Sequence, residues 1–393
     1  MIKKIVKRII YRIPFKMNNT ILMESSPTFS DNTRYVFNEL IKRKINEKYK
    51  IYWLVNGSIE DYQDIKISNV YFVNRNDRSI KNIIQLAKLR ILSKYIIECN
   101  IFIHKLNYRQ YRIHLTHGMF LKLPIEYCGQ VGNIDCITTT SVFFERFVQE
   151  LFNVEKRKII VTGLARNDAL YSKQKRILYP EIKRNKTIIW MPTYRNHKSS
   201  ISYESRTNIK YEFGVPCIMN EAQLQSLNDL LIKSSILLII KLHPAEDKKK
   251  LKSLKLSNIR LLEDDIFDKE KTTIYDYLNN IDALITDYSS IYYDYLLTGN
   301  PIGIAVPDLE EYSKHMKLFT NNLKKDIIGE YIYNFEDLKE FITNVYKNND
   351  VKKIERNEVL KRYHKYNDGN SSSRIVDILE EKMKERKYCE KRN

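Results

Sequence analysis

The residue types that could do chemistry stand in short polar clusters, each just after an apolar run. His117 and Gly118 follow a run ending near Leu115, Thr193 and Arg195 follow Ile188–Met191, and His243 follows Ile236–Leu242. Thr286 ends the run that begins at Ala283, and Asp287, Ser289 and Ser290 come directly after it. An imidazole titrates close to neutral pH and can take or give a proton. A guanidinium, small hydroxyls and the free N–H groups of a helix start suit phosphate oxygens instead. Plainer readings stand beside these: Asp287 and Ser289 as caps of a helix starting at Ile291, and His117, taken alone, as a structural histidine. The densest acidic run, Glu263-Asp264-Asp265, reads as a solvated loop, and nothing in the sequence demands a metal or a cofactor.

The elements that must position these clusters follow from periodicity. Ala283–Thr286 has strand character, Ile291, Tyr295 and Leu296 recur at helical spacing, Gly299 marks a helix end, and Ile302–Val306 starts again as strand. That sequence of elements is the unit of a parallel α/β layer. The same alternation predicts strands at Thr20–Met23, Ile51–Val55, Val70–Val73, Tyr95–Ile97, Ile101–Ile103, 134–140, Lys158–Thr162, Ile188–Met191, Ile236–Leu242 and Asn258–Leu262. It predicts helices over 33–46, 79–94, 141–151, 220–233, 335–347 and 373–388. Open parallel sheets carry their ligand-binding residues on loops at the carboxyl ends of strands, which is where every cluster above falls.

At 393 residues the chain is long for one core, so two domains are the default. The predicted organisation is a membrane-surface helix at 1–16, an α/β domain over 17–175, a linker at 176–187, a second α/β domain over 188–372 and a C-terminal helix over 373–393. Residues 196–219 read as an inserted loop with no assignable role. The formal charge of +19 favours anionic partners. No nucleic-acid module or aromatic stacking platform accompanies it, so no nucleic-acid partner is expected. The few glycines and the lack of a GxGxxG motif disfavour a dinucleotide oxidoreductase. Five scattered cysteines without metal-ligand spacing suit a reducing, cytoplasmic compartment. In MIKKIVKRIIYRIPFK, Ile2, Ile5, Val6, Ile9, Ile10 and Ile13 share one helical face and Lys3, Lys4, Lys7, Arg8 and Arg12 the other, with no acid. That is the pattern of a helix lying on an anionic membrane surface.

Seven segments, in order, resemble the CDP-glycerol glycerophosphotransferase family: SDNTRYVFNEL, LTHGMFLK, GLARND, MPTYR, KLHP, TDYSSIYYDYLLTGNPI and NDGNSSSR. Together they reach from about residue 20 to 380. Thr116 departs from the tryptophan often found before the family's histidine. The resemblance implies an α/β, GT-B-like fold: two Rossmann-like doubly wound domains facing a cleft, the first on the acceptor side and the second binding the CDP-donor. It implies transfer of a polyol phosphate, glycerol phosphate first, from a CDP-alcohol to a hydroxyl of a lipid-linked teichoic-acid-like or capsular acceptor, releasing CMP. The enzyme would work peripherally on the inner face of the cell membrane. A GT-B glycosyltransferase using a nucleotide sugar is the alternative. Under the resemblance His117 and His243 are catalytic, the first as general base and the second stabilising the transferred phosphate. Gly118, Thr193, Arg195, Thr286, Asp287, Ser289 and Ser290 are substrate-binding, while Arg166, Asn167 and Asp168 shape an interdomain turn.

Overall fold

The computed structural model describes residues 8–121, 132–195, 211–244, 246–315, 318–320 and 322–392. Residues 1–7 of the predicted surface helix, Lys122 of the histidine–glycine segment and 196–210 of the inserted loop lie outside the described residues.

Two compact units form. The first takes the described residues up to Asp168, except Phe120 and Leu121, and those from His364 onward; the second takes Phe120, Leu121 and Ala169–Tyr363. The first unit begins with β1 (Asn18–Ser25), α1 (Asp31–Lys42), β2 (Lys50–Val55), β3 (Val70–Asn74), α2 (Ile80–Leu92) and β4 (Ser93–Cys99). It continues with β5 (Tyr111–Leu115), β6 (Cys136–Thr139), α3 (Val142–Phe152) and β7 (Ile159–Val161). Its sheet runs β3-β2-β1-β4-β5-β6-β7 with every recorded pairing parallel.

The second unit holds β8 (Lys186–Trp190), α4 (Glu221–Lys233), β9 (Ile236–Ile240), β10 (Ile259–Leu261), β11 (Ala283–Thr286), α5 (Ile291–Leu296) and β12 (Ile302–Ala305). After these come α6 (Leu309–His315), β13 (Glu330–Ile332), α7 (Phe335–Tyr346) and α8 (Lys353–Tyr363). Its sheet runs β10-β9-β8-β11-β12-β13, again parallel throughout. Each sheet winds outward from its first strand in both directions. The two switch points are therefore β1/β4 and β8/β11, where the doubly wound topology opens a crevice at the carboxyl ends of the strands.

The strands are apolar because both faces are covered. Ile236–Ile240, read as ILLII, is buried at every position. In the first unit Val36, Phe37 and Leu40 of α1 pack with Ile375, Val376 and Leu379 over one face of the sheet, and Leu89 of α2 joins Leu22, Leu54 and Ile96 on the other. The C-terminal helix α9 (Ser371–Arg392) thus completes the first core. Arg43 fastens it, donating to Asp377, Glu380 and Ser373.

The unit boundaries differ from the predicted ones. The chain returns to the first unit at His364, eight residues before the predicted end of the second domain at 372. Residues 176–187, predicted as a linker, belong to the second unit, where Leu178 is buried and Arg184 donates to the carbonyls of Leu178, Tyr179 and Ile182. The predicted strand Ile101–Ile103 is irregular, because Ile103 gives its N–H to the buried Glu98 carboxylate rather than to a neighbouring strand. Of the predicted helix over 1–16, residues 8–12 are helical, and the Ile10 and Tyr11 carbonyls accept from Asn107 and Tyr108.

Two of the quoted segments meet here. Asp168 accepts the N–H groups of Ser371 and Ser372 at 2.8 and 2.7 Å, starting α9 on a carboxylate. Gly163 stands opposite with φ +83°, and a Cβ there would lie 2.3 Å from Ser371 Oγ. Gly163→Ala is therefore expected to cost about 1–3 kcal/mol, from the left-handed backbone and the displaced start of α9. A urea unfolding midpoint equal to wild type would contradict this account of the junction.

Candidate active site

Three segments converge at the carboxyl end of the first sheet. β1 leads to Asp31 at the start of α1, β5 leads to His117, and β7 leads through Gly163 to Arg166. Asp31 holds φ +55°, a left-handed conformation that Asp tolerates better than most residues and that suits a constrained site. One of its carboxylate oxygens pairs with His117 Nδ1; the other accepts from Arg166 Nη1 at 2.9 Å. Arg166 Nη1 also lies 3.4 Å from His117 Nδ1. Asn32 locks the arrangement, donating to the Thr116 carbonyl at 2.8 Å and accepting the Arg166 backbone N–H at 2.9 Å. Thr116 fixes its own strand end by donating to the Thr138 carbonyl at 2.9 Å.

The electrostatics are one-sided. Burial alone would raise the Asp31 pKa, but Arg166 and His117 more than reverse it and hold the carboxyl well below the usual carboxylate range. Asp31 is thus an anion with its oxygens committed, while the His117 side chain is 52% exposed. A carboxylate on Nδ1 leaves Nε2 as the outward atom and stabilises the imidazolium that forms when Nε2 takes a proton. Because the folded-state pKa is depressed, Asp31 contributes stability that is complete above its unfolded value of roughly 3.9. That contribution is lost as pH falls below it. The acid limb of the stability curve is expected to be shallower in Asp31→Asn, and superimposable limbs would contradict the pairing.

Asp31, Cys99 and His117 also bring ligand atoms within 4.8 Å of one another, the one such cluster of His, Cys, Asp and Glu found among the described residues. The donor set does not fit a divalent ion well. Both Asp31 oxygens are already engaged, a guanidinium sits beside them, and burial pushes the Cys99 thiol well above its usual value, so it stays protonated.

The second unit has its own convergence, at the β8/β11 switch point. Asp287 accepts the Thr193 N–H at 2.9 Å and the Thr193 hydroxyl at 2.6 Å, tying the loop after β8 to the loop after β11. Asp287 is therefore a loop tie and not the cap of α5. Arg195 is buried, its guanidinium donating to Asp287, to Asp308 at 2.6 Å and to the Thr193 carbonyl at 3.0 Å. Its carbon Cζ stands 5.3 Å from the Tyr288 ring centre, and Tyr288 stacks on Tyr312 at 3.7 Å. Tyr288 donates its hydroxyl to Asp308 at 3.1 Å.

The rest of the predicted substrate set is divided. Thr286 is buried and donates to the Met191 carbonyl at 3.0 Å, and Gly118 is buried beside His117. Ser289 and Ser290 are half-buried at the start of α5, where Ser290 has helical backbone and makes no side-chain cap bond. His243 is exposed on the loop after β9, its ring stacked on Tyr194 with centroids 5.2 Å apart. The sequence reading did not select Asp31 or Asp308, and it gave Arg166 to a turn. The SDN and GLARND segments carried the first and third, but spacing alone gave no sign that they meet at His117.

Two parallel doubly wound units with polar clusters at the carboxyl ends of their strands define an open-sheet α/β protein. The wall teichoic acid polymerase TagF has this fold: one of its structures aligns with 98% of this chain and 96% of its own at a TM-score of 0.71 and 18% identity. A putative UDP-N-acetylglucosamine 2-epimerase from Listeria monocytogenes also aligns, at a TM-score of 0.54 and 14% identity over 94% of this chain and 97% of its own, so the fold hosts more than one chemistry. The family described as CDP-Glycerol:Poly(glycerophosphate) glycerophosphotransferase matches residues 5–381, and the chain belongs to it.

Among its relatives, the teichoic acid ribitol-phosphate polymerase TarL of Staphylococcus aureus is 24% identical over 93% of this chain and 63% of its own length. The teichoic acid glycerol-phosphate primase of Bacillus subtilis is 26% identical over 63% of this chain and 58% of its own. The chain thus spans about three fifths of these two relatives. It covers 96% of the teichoic acid poly(glycerol phosphate) polymerase of Bacillus spizizenii at 26% identity, with 96% of this chain aligned.

Proposed function

We propose that the protein transfers a polyol phosphate from a CDP-alcohol, CDP-glycerol first among them, to a hydroxyl of a lipid-linked acceptor. The observation that carries this is the half-exposed His117 held at Nδ1 by a buried, charge-compensated Asp31, in a chain of this family. His117 Nε2 takes the acceptor's hydroxyl proton as that oxygen attacks the phosphorus bearing the polyol. The bond from that phosphorus to the bridging oxygen breaks, and CMP departs with the electron pair. In the second unit His243, Ser289 and Ser290 are assigned to phosphate oxygens, which gain charge in the transition state. Tyr194 fixes the plane of the His243 ring.

Arg195, Asp287, Thr193 and Thr286 act one step back, shaping the loops that present these groups; the sequence reading had given them to substrate directly. Gly118 leaves room beside the base. No helix among the described residues is long and apolar enough to cross a membrane. The basic, acid-free segment 1–16 supports a peripheral position on the inner membrane face.

The experiment is nucleotide release from CDP-glycerol, CDP-ribitol and a UDP-sugar, each with a lipid-linked acceptor. Acceptor-dependent CMP from a CDP-alcohol is the expected result. Release from the UDP-sugar alone would overturn the assignment.

A further inference from the structure

The histidine–glycine segment is held at both ends. Before it, Thr116 is fixed in the first unit by Asn32 and Thr138. After it, Met119 is buried, and its sulfur accepts from Thr139 Oγ1 at 3.5 Å. The next two residues already belong to the second unit. There the Leu121 carbonyl accepts the Phe319 N–H at 3.1 Å, and the Phe120 carbonyl accepts the Tyr293 hydroxyl at 3.3 Å. His117 thus stands three residues before a carbonyl held by α5.

Tyr293 lies in the first turn of α5, three residues after Ser290, and its side chain is fully buried. The ring packs edge-on against Tyr363 at 5.0 Å and Tyr292 at 5.3 Å. Tyr363 is the last residue of the second unit before the chain returns to the first at His364, and Lys365 then gives its N–H to the Thr140 carbonyl at 2.9 Å. Two of the points where the chain passes from one unit to the other therefore rest on this one side chain. The ring alone would fill the volume; what the hydroxyl adds is a donor turned to Phe120. A buried phenol needs such a partner, because desolvating it unpaired costs free energy. At 3.3 Å the bond is long for a hydroxyl and has room to shorten.

We propose that Tyr293 is a positioning residue for the base: by holding the Phe120 carbonyl it fixes where His117 stands relative to the phosphate assigned to Ser289 and Ser290. One short helix then carries the donor's hydroxyls at its start and, within a turn, the anchor of the acceptor's base. The gain is in orientation, since attack requires the acceptor oxygen, the proton-accepting nitrogen and the phosphorus to be placed to within about 0.5 Å. Tyr293 acts through His117 and not on substrate. Tyr295, just as buried on the same helix, turns its hydroxyl to the Ile281 carbonyl at 2.6 Å and has no such role. The inference rests on the reaction proposed above.

Acceptor-dependent CMP release from CDP-glycerol by the full chain tests it, with CDP affinity measured by titration calorimetry. Tyr293→Phe is expected to lower kcat roughly tenfold, short of the ~10²-fold that a 1 Å misplacement can cost. Its donor KM and CDP affinity should stay within about twofold of wild type, the pattern of an interaction lost only in the transition state. Tyr295→Phe, the control for losing a buried hydroxyl from α5, should stay within about twofold in all three quantities. In a His117→Ala background the Tyr293→Phe change should cost no further rate, because it acts through the imidazole already removed. Wild-type turnover by Tyr293→Phe, a large rise in its donor KM, an equal loss in Tyr295→Phe, or an undiminished further loss on top of His117→Ala would each overturn the inference and leave the proposed reaction standing. Absence of CMP release by the wild type would overturn both.

Discussion

His117→Ala is expected to lower acceptor-dependent CMP release by roughly 10²–10⁴-fold, the range for losing a positioned general base. Its effect on stability should be small, because the side chain is half exposed and its loss leaves Asp31 paired with Arg166. Asp31→Asn should fall between wild type and His117→Ala in rate. It removes the charge that stabilises the imidazolium while leaving the ring in place. A stable His117→Ala protein with full turnover would remove the histidine from the mechanism, whatever became of the fold.

Arg195→Ala should have the largest structural effect. Asp287 and Asp308 both lie buried against that guanidinium, and Tyr288 hydrogen-bonds to the second. Removing the cation leaves two carboxylates uncompensated, at a cost of about 3–5 kcal/mol for a broken buried pair. That corresponds to a fall in melting temperature of roughly 10 °C for a unit of this size. Arg195→Lys should recover little, since a single ammonium cannot reproduce the fork that reaches both acids. The measurement is chemical unfolding of the two variants. A change below about 1 kcal/mol with a large rise in donor KM would instead put Arg195 on the substrate, as the sequence first suggested.

Much of this was legible in the sequence because parallel α/β chains announce themselves in apolar runs followed by polar punctuation. The carboxyl-end position of His117, His243, Thr193 and Asp287 follows from that pattern alone, and the structure places each after its strand. What the pattern cannot give is pairing across the chain. Asp31 and His117 are 86 residues apart, and Asp287 and Arg195 are 92 apart, so no local period relates them. Arg195 looked available for phosphate because its two acids lie so far along the chain.

Helix α8 escaped for a different reason. KIERNEVLKRY buries only Arg356, Val359 and Tyr363, too few apolar positions for a helical stripe. Arg356 is held instead by Asp350 and the Gly299 carbonyl. The return of the chain at His364 was hidden as well, since its anchors are the Asp168 carboxylate and the small residues Gly163 and Ser371, which carry no periodic signal.

The central claim is that a phosphorus–oxygen bond is broken and the polyol leaves its nucleotide still carrying phosphate. It is tested most directly with CDP-glycerol labelled on the phosphorus that bears the glycerol, incubated with protein and lipid-linked acceptor. The account predicts label in the lipid product and unlabelled CMP in solution. Label recovered as CDP, with only the alcohol transferred, would mean that the carbon–oxygen bond had broken, and it would contradict the account.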